Sequence, residues 1–317
     1  MTAAPAAEHD PEKRAPVFEK IMLQQKVKAR WRFVEKSSRF DAPEWRLLLP
    51  LGAFFVLFFA APLVVLFLVS LSDGIALNGF TVAHYAKFLT DAFSLSILFD
   101  TVVLGIKATA VCLVFGLPLA WVCVHAHPRL RSLLVFLVIL PILTSVVVRT
   151  FAWIVILGQQ GILNKTFLSL GLIDHPLRLL FSEVGVVMVL AQVQMPLMVL
   201  PLITTLQRID PNLADASRAL GAGHWRTFRR VILPLWLPGL VAGSILVFAA
   251  CTTAFVTQTL IGGARLVYMP LYIYQQATGA NNWPFAAAMS VLLMISVLLV
   301  VYLLNLAGRA RWAVRHG

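Results

Sequence analysis

Two histidines are the strongest candidates for covalent chemistry in this sequence of 317 residues. His125 and His127 are separated by one residue at the end of an apolar run, and no carboxylate in the neighbouring sequence could support either ring as a general base. The sequence contains no His-Glu-x-x-His motif, no phosphate-binding loop and no nucleophile elbow. An enzyme that uses the two histidines stays open as a hypothesis, but the residues favour a function without a catalytic site.

Charged side chains inside apolar runs form the second group of candidates. Lys107 lies deep in such a run, where a charge costs ~2.5–3.5 kcal/mol on membrane-insertion scales. Asp100 precedes Lys107 by two helical turns and therefore shares its helix face. In one interpretation the two residues face a solute pathway and one of them meets the solute. In the other, Asp100 lies at the outer interface, and Lys107 pairs with a carbonyl or with a group of a partner subunit.

The remaining candidates for a solute pathway are an arginine, several polar residues and three aromatic residues. Arg149 either extends to the membrane interface or closes an outer gate by pairing with an acid. A polar stretch either serves helix packing or lines the pathway. The aromatic side chains either hold an ammonium group by cation–π contact or form an interfacial belt. The polar and aromatic candidates are Thr252, Thr253, Thr257, Gln258, Trp153, Phe255 and Trp283.

The composition indicates that lipid surrounds the elements that position these residues. Hydrophobic residues make up 60% of the chain and charged residues 13%, with a mean hydropathy of +0.85. Soluble domains carry roughly 45–50% apolar and about 25% charged residues. The cysteines, Cys112, Cys123 and Cys251, all fall in apolar runs without metal-ligand spacing, which predicts small buried side chains. No metal or cofactor is predicted on this chain.

Apolar runs long enough to cross a bilayer of ~30 Å predict an all-α integral membrane protein with six spans. The third predicted span is interrupted by Pro141, and the fourth predicted span contains Pro196 and Pro201. The predicted spans are 47–71, 98–124, 133–157, 184–206, 234–257 and 285–306.

The distribution of lysine and arginine predicts that both termini are cytoplasmic. The predicted organisation is an N-terminal tail over residues 1–46, a six-helix domain over 47–306 and a C-terminal tail over 307–317. Within the first tail, residues 17–34 interleave apolar and basic side chains, so they form either an amphipathic surface helix or a solvated basic segment.

The loop between the fourth and fifth spans predicts a helix–turn–helix. Asp210 can cap a helix that begins at Pro211, and Gly221 can end it in a left-handed turn. A second helix follows over residues 224–232, and Pro234 starts the next span. Taken alone, this element is either an interfacial anchor or a docking site for a cytoplasmic partner.

The spacing in this loop resembles the EAA loop of the permeases of ATP-binding-cassette (ABC) importers. The family pattern is Glu-Ala-Ala, three residues, Gly, nine residues, Ile, one residue and Leu-Pro, and it is matched here by Asp215-Ala216-Ser217, Gly221, Val231 and Leu233-Pro234. The resemblance implies a type I importer permease fold whose short coupling helix docks on an ATPase. The residues implied in that coupling are Asp215, Ala216, Ser217, Ala219, Leu220, Gly221, Leu233 and Pro234.

Further segments resemble the spermidine/putrescine (PotB-like) subfamily of these permeases. They are Arg149-Thr150-Phe151-Ala152-Trp153, Gly161-Ile162-Leu163-Asn164, Phe255-Val256-Thr257, Gly262-Gly263 and Trp283-Pro284-Phe285. Gln258 stands where the subfamily usually has proline.

The resemblance to this subfamily also implies a set of partners and a location. The partners are a second permease (PotC-like), two ATP-binding subunits (PotA-like) that carry ATP and Mg, and a periplasmic solute-binding protein (PotD-like). The implied location is a bacterial inner membrane, and the implied solute is a polyamine or a related amine or amino-acid-like compound. Lys107 conflicts with this expectation, since a lysine in the pathway would repel a polyamine. A secondary transporter driven by an ion gradient is the alternative, although few intramembrane acids are available to couple an ion.

Overall fold

The computed structural model describes residues 45–74, 79–210 and 212–313. The predicted amphipathic segment at 17–34 lies outside these residues. The chain divides at Val65 into two compact units. The first unit contains the start of the first span, and the unit from Leu66 onward contains the other five spans.

Helices make up almost all of the described structure, which confirms the predicted all-α class. We number them α1 (Trp45–Phe55), α2 (Ala61–Ser70), α3 (Ala83–Thr90), α4 (Ala92–His125), α5 (Pro128–Leu143), α6 (Val146–Leu157), α7 (Ile162–Ser169), α8 (Glu183–Leu206), α9 (Asn212–Ala219), α10 (His224–Thr227), α11 (Leu233–Thr252), α12 (Phe255–Gly262), α13 (Met269–Tyr274) and α14 (Trp283–Ala313). Short π-helical segments are Val56–Ala60, Phe228–Ile232 and Gln275–Gly279, and Gly263–Arg265 is a 3-10 turn.

Six helical stretches of the described chain are long and apolar enough to cross a membrane, as predicted. They are Leu49–Ser70, Ala92–His125, Val146–Ser169, Glu183–Leu206, His224–Thr252 and Trp283–Gly308. The second span begins earlier than predicted because Asp91 caps α4, where its carboxylate accepts hydrogen bonds from the Ser94 hydroxyl and the Ser94 amide. These bonds lower the pKa of Asp91 below its ordinary value, and the bond from the Ser94 hydroxyl has the largest effect.

The predicted third span, 133–157, is divided between α5 and α6, with the break after Leu143 and not at Pro141, and the predicted fifth span is broken as well. Helix α5 continues through Pro141 to Leu143, and Thr144 and Ser145 then take extended backbone conformations before α6 begins. The fifth span was predicted to reach residue 257, but α11 ends at Thr252 and α12 begins at Phe255. Broken helices of this kind are tolerated at membrane depth only where protein or water satisfies the freed backbone groups.

Helices α4, α8 and α11 pack against one another and form the core. Their close approach depends on glycines that face a neighbouring helix. A Cβ added to Gly116 would meet Met198 of α8 at 2.8 Å, and one added to Gly105 would meet Thr252 of α11 at 2.6 Å. In membranes, where lipid is as apolar as the helix surface, such close van der Waals packing is a main source of helix association.

The glycine at position 243 allows a direct prediction about this packing. A Cβ there would lie 2.8 Å from the sulfur of Met198 and 3.1 Å from its backbone oxygen, so α8 and α11 would have to separate. We expect Gly243→Ala to lower the stability of the protein in detergent by about 1–3 kcal/mol. The check is the thermal unfolding midpoint. Gly279→Ala is the matched control, since a Cβ at that position meets nothing within 4 Å. An equal or higher midpoint for Gly243→Ala would contradict the packing argument.

Candidate functional site

The EAA-like loop, residues 210–234, is built by local hydrogen bonds of the kind that the sequence predicted. The Asp210 carboxylate accepts a bond of 2.9 Å from the Asn212 amide, and α9 begins at Asn212. At the other end, Gly221 has a φ of +80°, and the Ala222 amide donates to the Ser217 carbonyl at 3.1 Å. This left-handed termination turns the chain toward α10, as expected for a glycine just beyond a helix.

Among the described residues, helix α9 contacts α10 and the π-helical segment Phe228–Ile232. The Ser217 and Thr227 hydroxyls lie 3.0 Å apart and join α9 to α10, and Thr227 is buried. The Arg218 guanidinium donates to the Asp215 carboxylate at 3.3 Å on the surface of the same helix. Ala216 and Ala219 are exposed. The described part of α9 therefore presents small side chains to solvent on a rigid, capped element.

Large apolar side chains on this loop are exposed as well. Leu220 is 88% exposed and Trp225 71%, and Leu213 is also exposed. An exposed apolar patch with a polar surround is typical of a protein interaction site. Together with the small residues of α9, this patch forms a surface that a groove on another protein could enclose.

An aromatic column connects this surface to the core. Its ring centroids are separated by 5.8 Å between Trp225 and Phe228, 5.9 Å between Phe228 and Trp236, and 5.5 Å between Trp236 and Trp121. His125 continues the column by stacking on Trp121 at 3.9 Å. The column therefore links the loop to α11 and α4 through contacts between rigid side chains.

Lys107 pairs with a residue that the sequence analysis did not consider. Its ammonium donates to Oε1 of Glu183 at 2.5 Å, and both side chains are about half exposed. Asp100 is exposed and takes part in no ion pair among the described residues. The two candidates on α4 thus do not pair with each other. Glu183 is the first residue of α8, and its distance from Lys107 in sequence hid the contact.

Arg149 spans the break between α5 and α6. Its guanidinium donates to the Pro141 carbonyl, and the described residues offer its Nε no acceptor and its charge no carboxylate partner. The described residues therefore provide no acid with which Arg149 could form an ion pair to close an outer gate. The observed contact instead satisfies a carbonyl close to the helix break.

The polar stretch after α11 mostly satisfies the backbone. The Gln258 amide, which is buried, donates to the Cys251 carbonyl at 2.7 Å at the end of α11, where the backbone amide of Ala254 reaches the same oxygen only at 3.5 Å. Thr252 bonds to carbonyls of its own helix, and the Thr257 hydroxyl lies 3.4 Å from that of Thr150 on α6. Of the polar candidates in this stretch, Thr253 is the exposed residue. Gln258 thus has a structural task at the position where the subfamily usually has proline.

The aromatic candidates are dispersed and do not form a cage. The Trp153 indole donates to Gln192 at 3.1 Å, the Phe255 ring lies 5.3 Å from that of Tyr274, and Trp283 donates to Asn281. No contact joins any two of the three candidates within the described structure. Of the two interpretations, an ammonium cage made of these three rings is therefore not observed in the described part of the chain.

With this geometry established, comparison with known proteins identifies the family. The profile of the family described as "Binding-protein-dependent transport system inner membrane component" matches residues 112–312. This chain belongs to that family. The matched segment contains α8, the EAA-like loop and α11, so the exposed surface and the aromatic column lie in the part that defines the permease.

Named relatives agree with this assignment. The permease is 33% identical over 229 residues to the spermidine/putrescine transport system permease protein PotB of Haemophilus influenzae, covering 72% of this chain and 80% of that protein. It is 36% identical over 225 residues to PotB of Escherichia coli K12, covering 70% and 82%. It is also 30% identical to the molybdenum transport system permease protein ModB of the same organism, over 58% of this chain.

Solved structures show the same fold. A bacterial ABC transporter involved in the import of the acidic polysaccharide alginate matches with a TM-score of 0.67 at 16% identity, covering 91% of this chain and 99% of that one. The alginate transporter in complex with an alginate pentasaccharide-bound periplasmic protein matches with a TM-score of 0.69 at 15% identity, covering 89% and 98%. The predicted importer permease fold is thereby confirmed.

These findings decide between the hypotheses that the sequence left open. This chain is a multi-pass inner membrane permease of an ABC importer, and a family defined by binding-protein-dependent transport gives no support to the ion-gradient alternative. His125 bonds to the Trp121 carbonyl at 2.9 Å and stacks on its ring, so it packs against the preceding turn of its own helix, α4. Among the described residues, no group of histidine, cysteine or acidic side chains could hold a metal ion.

Proposed function

We propose that this permease forms half of an import pathway for a small cationic solute, with a polyamine such as spermidine or putrescine as the first candidate. Its partners are a second permease (PotC-like), two ATP-binding subunits (PotA-like) that carry ATP and Mg, and a periplasmic solute-binding protein (PotD-like). The relatives named spermidine/putrescine transport system permease, at 33% and 36% identity, support the solute class. Other small amines, amino-acid-like compounds and opines are the next candidates.

The exposed surface of the EAA-like loop is the observation on which this proposal depends. A helix that exposes Ala216 and Ala219 beside Leu220 can enter a groove closely, since no bulky side chain of its own holds it away. In the proposed mechanism, ATP-driven closure of the ATPases pulls α9 and α10, and the aromatic column passes that displacement to α11 and α4. The excess of lysine and arginine in this loop and in both tails supports a cytoplasmic position for the loop and for both termini.

Reconstitution of the complete complex tests the proposal. We expect proteoliposomes that contain both permeases and the ATPases to accumulate labelled spermidine only when ATP is supplied on the ATPase side and the solute-binding protein on the other. Uptake that continues without ATP and collapses with an ion gradient would show the proposal to be wrong.

A single substitution tests the docking surface separately. We expect Leu220→Glu to reduce co-purification of the ATP-binding subunit by at least about tenfold, equivalent to roughly 1.4 kcal/mol, because a charge would enter an apolar contact. The thermal unfolding midpoint of the permease should not change, since Leu220 is 88% exposed. Leu172→Glu, at an exposed leucine between α7 and α8, is the control and should leave co-purification intact. Equal behaviour of the two variants would count against docking through this surface.

A further inference from the structure

The Lys107–Glu183 ion pair joins two helices that are long and apolar enough to span the membrane. Both residues fall within stretches long and apolar enough to span the membrane, Ala92–His125 and Glu183–Leu206. Glu183 lies at the end of α8 opposite the EAA-like loop. Charged side chains in spans usually face a water-filled cavity or another protein, because hydrocarbon cannot solvate them.

This ion pair is nevertheless open on the surface of the chain. The side chain of Lys107 is 49% exposed and that of Glu183 45%. A pair that served only to join α4 to α8 would be expected inside their interface, where Gly105, Ala108 and Cys112 are instead buried. The exposed surfaces of both side chains therefore face either the solute pathway or the second permease.

A second carboxylate lies on the same helix as Lys107. Asp100 lies on the same face of α4 as Lys107, is exposed and has no ion-pair partner among the described residues. Both Asp100 and Glu183 act on Tyr268, since burial first and then these two carboxylates raise the pKa of its hydroxyl. Asp100 is therefore a carboxylate without an ammonium partner in this part of the described chain, whereas Glu183 is paired with Lys107.

We propose that Glu183, with Asp100, recognises a cationic group of the solute in the pathway, and that Lys107 occupies Glu183 until that group displaces it. The exchange replaces one ammonium–carboxylate contact of Glu183 with another, so Glu183 does not need to be left unpaired while the solute binds. It also removes the conflict raised by the sequence, because the charge of Lys107 is neutralised by Glu183 and does not stand free to repel an amine. This inference rests on the proposed function.

The test is the uptake of labelled spermidine by the reconstituted complex, with KM and maximal rate measured separately. We expect Glu183→Gln and Asp100→Asn each to raise the KM by about tenfold, and Lys107→Met to lower it or leave it unchanged, because the competitor for Glu183 has been removed. Glu183→Asp, which keeps the carboxylate, should restore most of the affinity. Asp174→Asn and Lys165→Met, at exposed residues outside the pair, are the controls.

If the carboxylates recognise the solute, substitution of Glu183 should raise the KM, whereas substitution of Lys107 should not. If the pair only stabilised the fold, Lys107→Met and Glu183→Gln would impair uptake in the same direction, and the inference would be overturned. Loss of the second permease from the purified Glu183→Gln complex, with an unchanged KM in what remains, would assign the pair to the subunit interface and also overturn it. Failure of the wild-type complex to take up spermidine with ATP would count against the proposed function; normal uptake by both wild type and Glu183→Gln would refute this inference alone.

Discussion

Replacement of Gly221 by valine is expected to reduce both association with the ATPase and uptake while leaving the transmembrane core folded. Gly221 has a φ of +80°, a conformation that costs a β-branched residue roughly 1–3 kcal/mol, and it ends α9 at the turn toward α10. A cost of this size corresponds to a decrease of about 5- to 150-fold in the equilibrium constant for forming the native turn. Uptake and association with the ATPase should decrease together, by a factor of up to about 150.

The surroundings of this glycine make the prediction specific to backbone conformation. A Cβ at Gly221 would meet nothing within 4 Å, so steric crowding cannot explain a loss. Gly223 offers a matched control, because its surroundings are equally open and its φ is −66°. We expect Gly223→Val to retain most of the uptake and Gly221→Asn to lie between Gly221→Val and wild type, since asparagine tolerates left-handed backbone. If Gly221→Val behaved like Gly223→Val, the assignment of this turn to coupling would be wrong.

Truncation of Trp236 is expected to have the largest effect on stability. Trp236 is buried and its ring contacts those of Trp121 on α4 and Phe228 in the EAA-like loop. Trp236→Ala should destabilise the permease in detergent by about 3–5 kcal/mol, because the cavity removes packing from three helical segments at once. The remaining folded protein should also show ATP hydrolysis that no longer drives uptake, since the aromatic column is interrupted.

Two further substitutions separate packing from hydrogen bonding at this position. The Trp236 indole N–H is buried and has no acceptor within the described structure, so Trp236→Phe removes an unsatisfied donor while keeping an aromatic ring. We expect Trp236→Phe to be far milder than Trp236→Ala in both thermal unfolding and coupling. Trp225→Ala, at the exposed end of the same column, should change the unfolding midpoint little. A similar midpoint for Trp236→Ala and Trp225→Ala would contradict the role assigned to the buried ring.

The features that follow from local rules could be predicted from the sequence. The spans follow from the length of apolar runs, since burial in lipid depends mainly on composition. The loop helices follow from capping, because Asp210, Gly221 and Pro234 act on backbone groups within a few residues of themselves. The EAA-like spacing and the family were accessible for the same reason: the docking element is continuous in sequence.

The features that join distant segments were decided by the tertiary structure alone. Glu183 follows a loop and begins a helix, and nothing around it in sequence indicates Lys107 as its partner. The Gln258 bond to the Cys251 carbonyl matters only because α11 breaks between them, and that break depends on how α12 packs against α6 and α8. The aromatic column likewise exists only once α4 and α11 are side by side. Periodicity and composition report the preference of each segment for lipid or water, whereas side-chain pairing depends on rotations and depths of helices that only packing determines.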